Sequence, residues 1–296
     1  MAFIRRPRSL WQLRTRTLNL GERTLVMGVL NVTPDSFSDG GLYFGTGAAV
    51  EQALTMLDQG ADIIDIGGES TRPGAQPPGA QEEQDRVLPV MKAVLRERPG
   101  TVISADTYRA STAVAAVGSG AEIVNDVSAF TWDAEMASAC AHLRCGVVLM
   151  HTRGRPDAWR TQPRLAAEEV VPLVKEDLRR SLDHAFAAGV ERSRIVLDPG
   201  YGFGKVFDDN YPLLAHLDEL LGLGQPLLAG VSRKSFLGRT VGAAIGVADV
   251  PAGERGNATL AGTAAAILAG ASIVRVHEVR PAVEAASIAD AILAAL

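Results

Sequence analysis

Asp106, Asn125 and Asp198 each stand at or beside the end of a short β-branched or aliphatic run: TVISA (101–105), EIVND (122–126) and RIVLD (194–198). A carboxylate withdrawn from water is costly unless donors face it. A flat heterocycle with an amino group beside a ring N–H supplies such a donor pair, and the Asn125 amide can both donate and accept. The competing reading is local, because Asp106 and Asp126 each precede a helical stretch and could cap it. Three such residues on nearby strands weigh toward a ligand.

A second set of residues suits an anion. Arg275 and His277 are two apart, so on a strand they face the same way, and Arg72 can join them. Guanidinium groups grip phosphate oxygens in bidentate fashion and a neighbouring His adds a donor, although a surface ion-pair network uses the same residue types. VSRKSFLG (231–238) carries Lys234 and Ser235 into the start of a helix, whose first N–H groups can hold a carboxylate or phosphate. NVTPDSFSDGG (31–41) follows an apolar run and is too long and polar for a plain turn. It is either a solvated connector or a loop that closes over a site.

Other features carry less. DPGYGFGK (198–205) ends in Gly-Lys, but Pro199 replaces the first Gly of a phosphate loop and Val206 its Ser/Thr. His142, His184 and His216 lie on helical stretches without partners at ligand spacing. Cys140 and Cys145 make neither a zinc set nor a disulfide framework and read as small buried thiols.

The elements that must position these residues alternate regularly. Strands are expected at 24–30, 61–67, 101–105, 122–126, 146–150, 194–198, 226–230 and 272–276. Helices are expected at about 47–59, 80–97, 108–118, 133–143, 165–189, 209–222, 234–238 with 257–269, and 281–295. Eight strand–helix units predict a closed (β/α)₈ TIM barrel, whose chemistry sits at the carboxyl ends of the strands. A doubly wound sheet is the runner-up, but no GxGxxG turn follows the first strand. No linker divides the chain, so residues 1–296 are expected to form one domain, with residues 1–20 as a loose basic extension leading into a short strand at 15–19.

The 296 residues are 47% hydrophobic and carry a net charge of −5, which leaves no basic field for a nucleic-acid backbone. The first twenty residues hold five arginines and no acid, faintly like a transit or twin-Arg signal, yet no apolar segment of signal length follows. No run approaches the ~20 apolar residues of a membrane span. A cytoplasmic protein is expected.

Five blocks, GVLNVTPDSFSDGG (28–41), IDIGGESTRPG (64–74), DPGYGFGK (198–205), GVSRKSFLG (230–238) and RVHEV (275–279), together closely resemble dihydropteroate synthases of the folate pathway. The resemblance covers nearly the whole chain. It implies a (β/α)₈ barrel, usually a homodimer, that joins 6-hydroxymethyl-7,8-dihydropterin diphosphate to 4-aminobenzoate with Mg²⁺ as cofactor, the activity that sulfonamides target. By the same resemblance Asp106, Asn125, Met150, Asp198 and Lys234 hold the pterin, while Arg275 stacks on its ring and faces the diphosphate. Asn31, Arg72 and His277 correspond to diphosphate contacts, with Asn31 also at the metal. Thr71, Pro73, Phe203 and Ser235 correspond to the aminobenzoate pocket. The stretches 31–41 and 69–75 correspond to mobile loops, with Gly40 and Gly41 as a hinge.

The sequence departs from the family pattern at Tyr201, where Phe is more usual, at MHTRG (150–154), and in the connector 239–256. None of these removes a matched functional residue. The implied chemistry is loss of diphosphate to a resonance-stabilised cation, with Arg72, Arg275 and His277 taking the leaving charge, Lys234 at the pterin, Asp35 facing the cation, and no dedicated general base. Two other readings share parts of the pattern. A methyltetrahydrofolate-dependent corrinoid methyltransferase has the acceptor array without the diphosphate apparatus, and a non-catalytic pterin-binding paralogue would keep the pocket alone.

Overall fold

The computed structural model describes residues 3–33, 41–69 and 78–296, with the side chains of 41–44 and 160 left aside. The chain enters through an antiparallel hairpin, β1 (Ser9–Gln12) and β2 (Thr17–Leu20), in which Ser9 pairs with Leu20. Eight parallel strands follow: β3 (Leu25–Asn31), β4 (Ile63–Gly67), β5 (Val102–Asp106), β6 (Ile123–Asp126), β7 (Gly146–Met150), β8 (Ile195–Asp198), β9 (Leu228–Ala229) and β10 (Ile273–Val276). They run in the order β8-β7-β6-β5-β4-β3-β10-β9, and a bridge between Leu197 and Leu227 brings the two ends together into a barrel.

Helices α1 (Gly41–Asp58), α2 (Ala80–Glu97), α3 (Ala110–Gly118), α4 (Met136–Leu143), α5 (Ala167–Ala187), α6 (Asn210–Ala215), α7 (Ser235–Ile245), α8 (Gly256–Leu268) and α9 (Val279–Ala294) cover the outside. The strands read as near-continuous apolar runs because helices bury one face and the barrel interior the other. All eight expected strands are present within one or two residues of their expected ends. α1 begins six residues earlier than expected, with Gly41 as its first residue, while Gly40 lies outside the described residues.

The expected loose extension is a correction. The hairpin closes the amino-terminal mouth of the barrel, with Trp11, Leu13 and Leu20 packed on Met27, Ile63, Val102, Ile123, Val148, Val196, Leu228 and Ile273. Trp11 Nε1 donates to the Arg194 carbonyl at 2.8 Å. Arg6 is buried as well, donating to Thr24 Oγ1 and Asp290 Oδ1, each at 2.6 Å. Open barrel ends expose apolar strand interiors, so this segment is recruited to cover them.

The period-two alternation of a strand then builds the interior in layers. Above the apolar plug layer, two residues further along each strand, come Val29, Asp65, Ser104, Asn125, Met150, Asp198, Gly230 and Arg275. Above those stand Asn31, Asp106, Val127, Ser232 and His277 at the carboxyl rim. Among the described residues, no helix is long and apolar enough to cross a membrane.

Candidate active site at the carboxyl end of the barrel

A cavity of about 520 Å³ opens at this rim. Its floor is the middle interior layer, and the floor is organised around Arg275. The guanidinium donates from Nε to Asp65 Oδ2 and from Nη2 to Asp106 Oδ2, both at 2.6 Å. Asn125 Nδ2 donates to the same Asp65 oxygen at 3.0 Å. Asp65 is fully buried, and its Oδ1 has no hydrogen-bond partner among the described residues. Burial works against the charge on Arg275, but the two carboxylates outweigh it and hold the guanidinium firmly protonated. Burial pushes the Asp106 carboxyl up to about 7, with Arg275 pulling it down and the charge of Asp65 pushing it further up.

Asp198 and Lys234 complete the floor. Asp198 Oδ1 accepts the Gly200 N–H at 2.7 Å. Burial raises its carboxyl to about 6, against the lowering pull of that N–H, Lys234 and Arg275. Burial, helped by Arg275, lowers the Lys234 ammonium to about 8, while Asp198 opposes the shift. Lys234 Nζ lies 3.9 Å over the centre of the Phe203 ring, a cation–π contact.

The loop after β8 that presents Phe203 is tied down from below. Lys205, buried, donates to the carbonyls of Gly200 at 2.7 Å and Phe203 at 3.3 Å. Gly200 has φ +67°, and a Cβ there would sit 1.9 Å from the His151 carbonyl oxygen, so only glycine fits. The Gly-Lys of this segment therefore holds backbone rather than a nucleotide. On the far side of the rim, His277 Nδ1 lies 3.0 Å from Ser232 Oγ, and Arg233 Nη2 donates to Glu278 Oε1 at 2.7 Å.

Glu69, at the exit of β4, also lines the cavity. It accepts from Arg109 Nη1 at 2.7 Å and from Tyr108 OH. Arg109 reaches in addition to Glu83 Oε2 at 3.0 Å and the Pro78 carbonyl at 2.8 Å, knotting the exits of β4 and β5 to the start of α2.

Of the residues singled out from sequence, Asn31, Asp106, Asn125, Met150, Asp198, Phe203, Lys234, Arg275 and His277 line this one cavity. Ser235 opens α7 and is exposed, outside the lining residues. Asp35, Thr71, Arg72 and Pro73 lie outside the described residues. Asp106 does not cap α3: Asp133 Oδ2 takes the Ala110 N–H at 2.8 Å instead. Asp126 does serve local structure, accepting from the Ser128 and Phe130 N–H groups. Arg275, grouped from sequence with Arg72 and His277, spends two of its donors on carboxylates.

Asp65 and Lys205 were not legible as site residues. The signal for Asp65 was an acid inside the otherwise apolar run IIDIG (63–67), in step with the inward-facing positions. Reading only strand ends passes over it.

A family profile described as pterin binding enzyme matches residues 27–277. The chain belongs to the dihydropteroate synthase family of pterin-binding enzymes. It is 44% identical over 276 residues to the dihydropteroate synthase of Bacillus subtilis (strain 168), covering 93% of this chain and 91% of that one. Two solved structures from Xanthomonas albilineans extend the comparison to the fold. Its dihydropteroate synthase with 4-aminobenzoic acid superposes with a TM-score of 0.87 at 39% identity, covering 97% of this chain and 99% of the other. The same enzyme in complex with 7,8-dihydropteroate gives a TM-score of 0.83 at 38% identity, again covering 97% and 99%. Family membership gives the acidic floor a natural counterpart, since a pterin carries the amino group and ring N–H donors that such a floor accepts.

Proposed function

We propose that this chain joins 6-hydroxymethyl-7,8-dihydropterin diphosphate to 4-aminobenzoate, giving 7,8-dihydropteroate and diphosphate. The observation that carries the reading is the base of the cavity, where Asp106, Asn125 and Asp198 line it beside Arg275 and Lys234, and the buried Asp65 holds Arg275 from beneath. Such a floor matches the alternating donors and acceptors of a pterin edge: Asp106 and Asp198 accept, Asn125 does both, and Lys234 donates.

In the reaction the C–O bond between the exocyclic methylene and the diphosphate breaks, and the electron pair leaves with the diphosphate. The amine nitrogen of 4-aminobenzoate then forms the C–N bond and releases one proton. The electron-rich dihydropterin stabilises the intervening cation, so the protein's task is to hold separating charges. We assign the leaving group to Arg275, from the floor, and His277, from the rim; the family resemblance adds Arg72 to the leaving group and Asp35 to the cation. Phe203 bounds the aminobenzoate side of the cavity, and the family resemblance assigns Thr71, Pro73 and Ser235 to the same substrate. The arylamine is nucleophilic at neutral pH and needs no dedicated base.

Mg²⁺ belongs to the same proposal. Among the described residues no three acidic, histidine or cysteine side chains converge as a cation cage. The Asn31 amide at the cavity wall suits a hard cation that keeps water and takes phosphate oxygens. Bound there, the ion would supply charge neutralisation for a diphosphate. A homodimer, also implied by the family resemblance, is part of this proposal and is read from the mass in solution by light scattering.

The deciding experiment measures diphosphate release from the pterin diphosphate with and without 4-aminobenzoate, alongside dihydropteroate formation. Release matched one-to-one by product supports the reading. Release without coupled product, or binding without release, overturns it in favour of a pterin-binding protein that does not couple.

A further inference from the structure

Phe203 lines the cavity, yet its ring is not fixed by cavity residues alone. Lys234 Nζ sits over its face at 3.9 Å, and Trp159 meets it nearly perpendicularly, with ring centroids 5.0 Å apart and an interplanar angle of 88°. Trp159 is not a lining residue: it is buried behind Phe203, in a short turn (Trp159–Thr161) of the segment that follows β7.

The indole itself has one orientation. Its Nε1 donates to the Gly154 carbonyl at 3.0 Å and lies 3.1 Å from Thr152 Oγ1, which also donates to Gly154 O at 3.0 Å. Val127, Met150, Trp159 and Phe203 form a separate apolar cluster at the rim, apart from the main core. An indole pinned at its polar end and packed at its apolar end is a rigid stop for the ring it touches.

We infer that Trp159 is a positioning residue for the aromatic-amine substrate: it fixes the Phe203 ring that bounds the aminobenzoate side of the cavity, without itself touching substrate. The inference rests on the function proposed above. Its specific consequence is a split between substrates. Loosening the ring disturbs the wall for 4-aminobenzoate directly, whereas the groups that accept the pterin's donors, Asp106, Asn125 and Asp198, stand on β5, β6 and β8 outside the cluster of Val127, Met150, Trp159 and Phe203.

Steady-state kinetics on wild type, Trp159→Ala and Trp159→Phe test this. Trp159→Ala is expected to raise KM for 4-aminobenzoate about tenfold, the scale of one lost edge-to-face contact with its packing. KM for the pterin diphosphate is expected to stay within about twofold, and Trp159→Phe to recover most of the loss because it restores an aromatic edge. Unchanged KM for 4-aminobenzoate, or an equal rise in both KM values, overturns the inference. If the alanine variant does not fold, Trp159→Leu, which keeps apolar bulk but removes the aromatic edge, decides instead: a rise of about threefold or more confined to 4-aminobenzoate supports the role, and no rise overturns it. Wild type that forms no dihydropteroate removes the proposed function itself, an outcome distinct from either result on the variants.

Discussion

Arg275 Nε and Asp65 Oδ2 are 2.6 Å apart and join β10 to β4 across the interior, although β3 lies between them in the sheet. Asp65 is fully buried and Arg275 is about one-fifth exposed at 21%. Removing one partner of such a pair leaves an uncompensated charge in the barrel. Arg275→Met strands both Asp65 and Asp106 and is expected to cost about 3–5 kcal/mol in urea unfolding. Asp65→Asn keeps an acceptor for Nε and is expected to cost less than half of that. A loss below about 1 kcal/mol for Arg275→Met would show that the floor does not depend on this pair.

Rate against pH should be bell-shaped. Ionised, Asp198 and Asp106 offer both oxygens to pterin donors, whereas protonation turns one into a donor; their carboxyls are raised to about 6 and about 7. Lys234 donates as the ammonium, which is lowered to about 8. Because kcat/KM reports groups of the free enzyme, kcat/KM for the pterin diphosphate should fall below pH 6–7 and again above pH 8. A flat profile between pH 5 and 9 contradicts these roles.

Asp198→Asn should separate stability from function. The carboxyl titrates at about 6 in the fold against 3.8 as its ordinary value, so its ionised form destabilises the native state. That penalty is fully present above about pH 6 and fades as pH falls toward 4. The asparagine variant is therefore expected to lose pterin binding by calorimetry. It should also melt at a higher temperature than wild type at pH 8, by on the order of 2–3 kcal/mol in stability, with the gap closing near pH 4.

Arg109 holds Glu83, which is 1% exposed, together with Glu69 and the Pro78 carbonyl. Arg109→Met should cost about 3 kcal/mol or more by denaturant titration, because Glu83 is left buried with Thr112 Oγ1 as its one remaining side-chain donor among the described residues. The double variant with Glu83→Gln should recover a large part of that loss. Without recovery, the cost lies elsewhere than in the stranded carboxylate.

Asp35→Ala, under the proposed mechanism, should cost turnover and spare binding. With Asp35 facing the cation, kcat is expected to fall by about a hundredfold or more while the dissociation constant for the pterin diphosphate stays within about twofold. Weakened binding with intact turnover would assign Asp35 to the ground state instead.

Much of this protein was legible from its sequence. The alternation of apolar runs with amphipathic stretches fixed eight strand–helix units, because each period reports a local backbone geometry and its buried face. Polar residues interrupting those runs at strand ends marked Asn31, Asp106, Asn125, Asp198, Arg275 and His277, and all of them line one cavity. The amino-terminal segment misled because its arginines suggested a solvated tail. Its apolar Trp11, Leu13 and Leu20 find their use only against the open end of a finished barrel.

Tertiary structure alone decided the pairings. Arg275 meets partners 210 and 169 residues away, and Trp159 meets Phe203 from a different loop. A period of two tells which way a side chain points along its strand. Which residue it meets across the interior depends on how eight strands close and stagger, a property of the whole barrel that no local window contains.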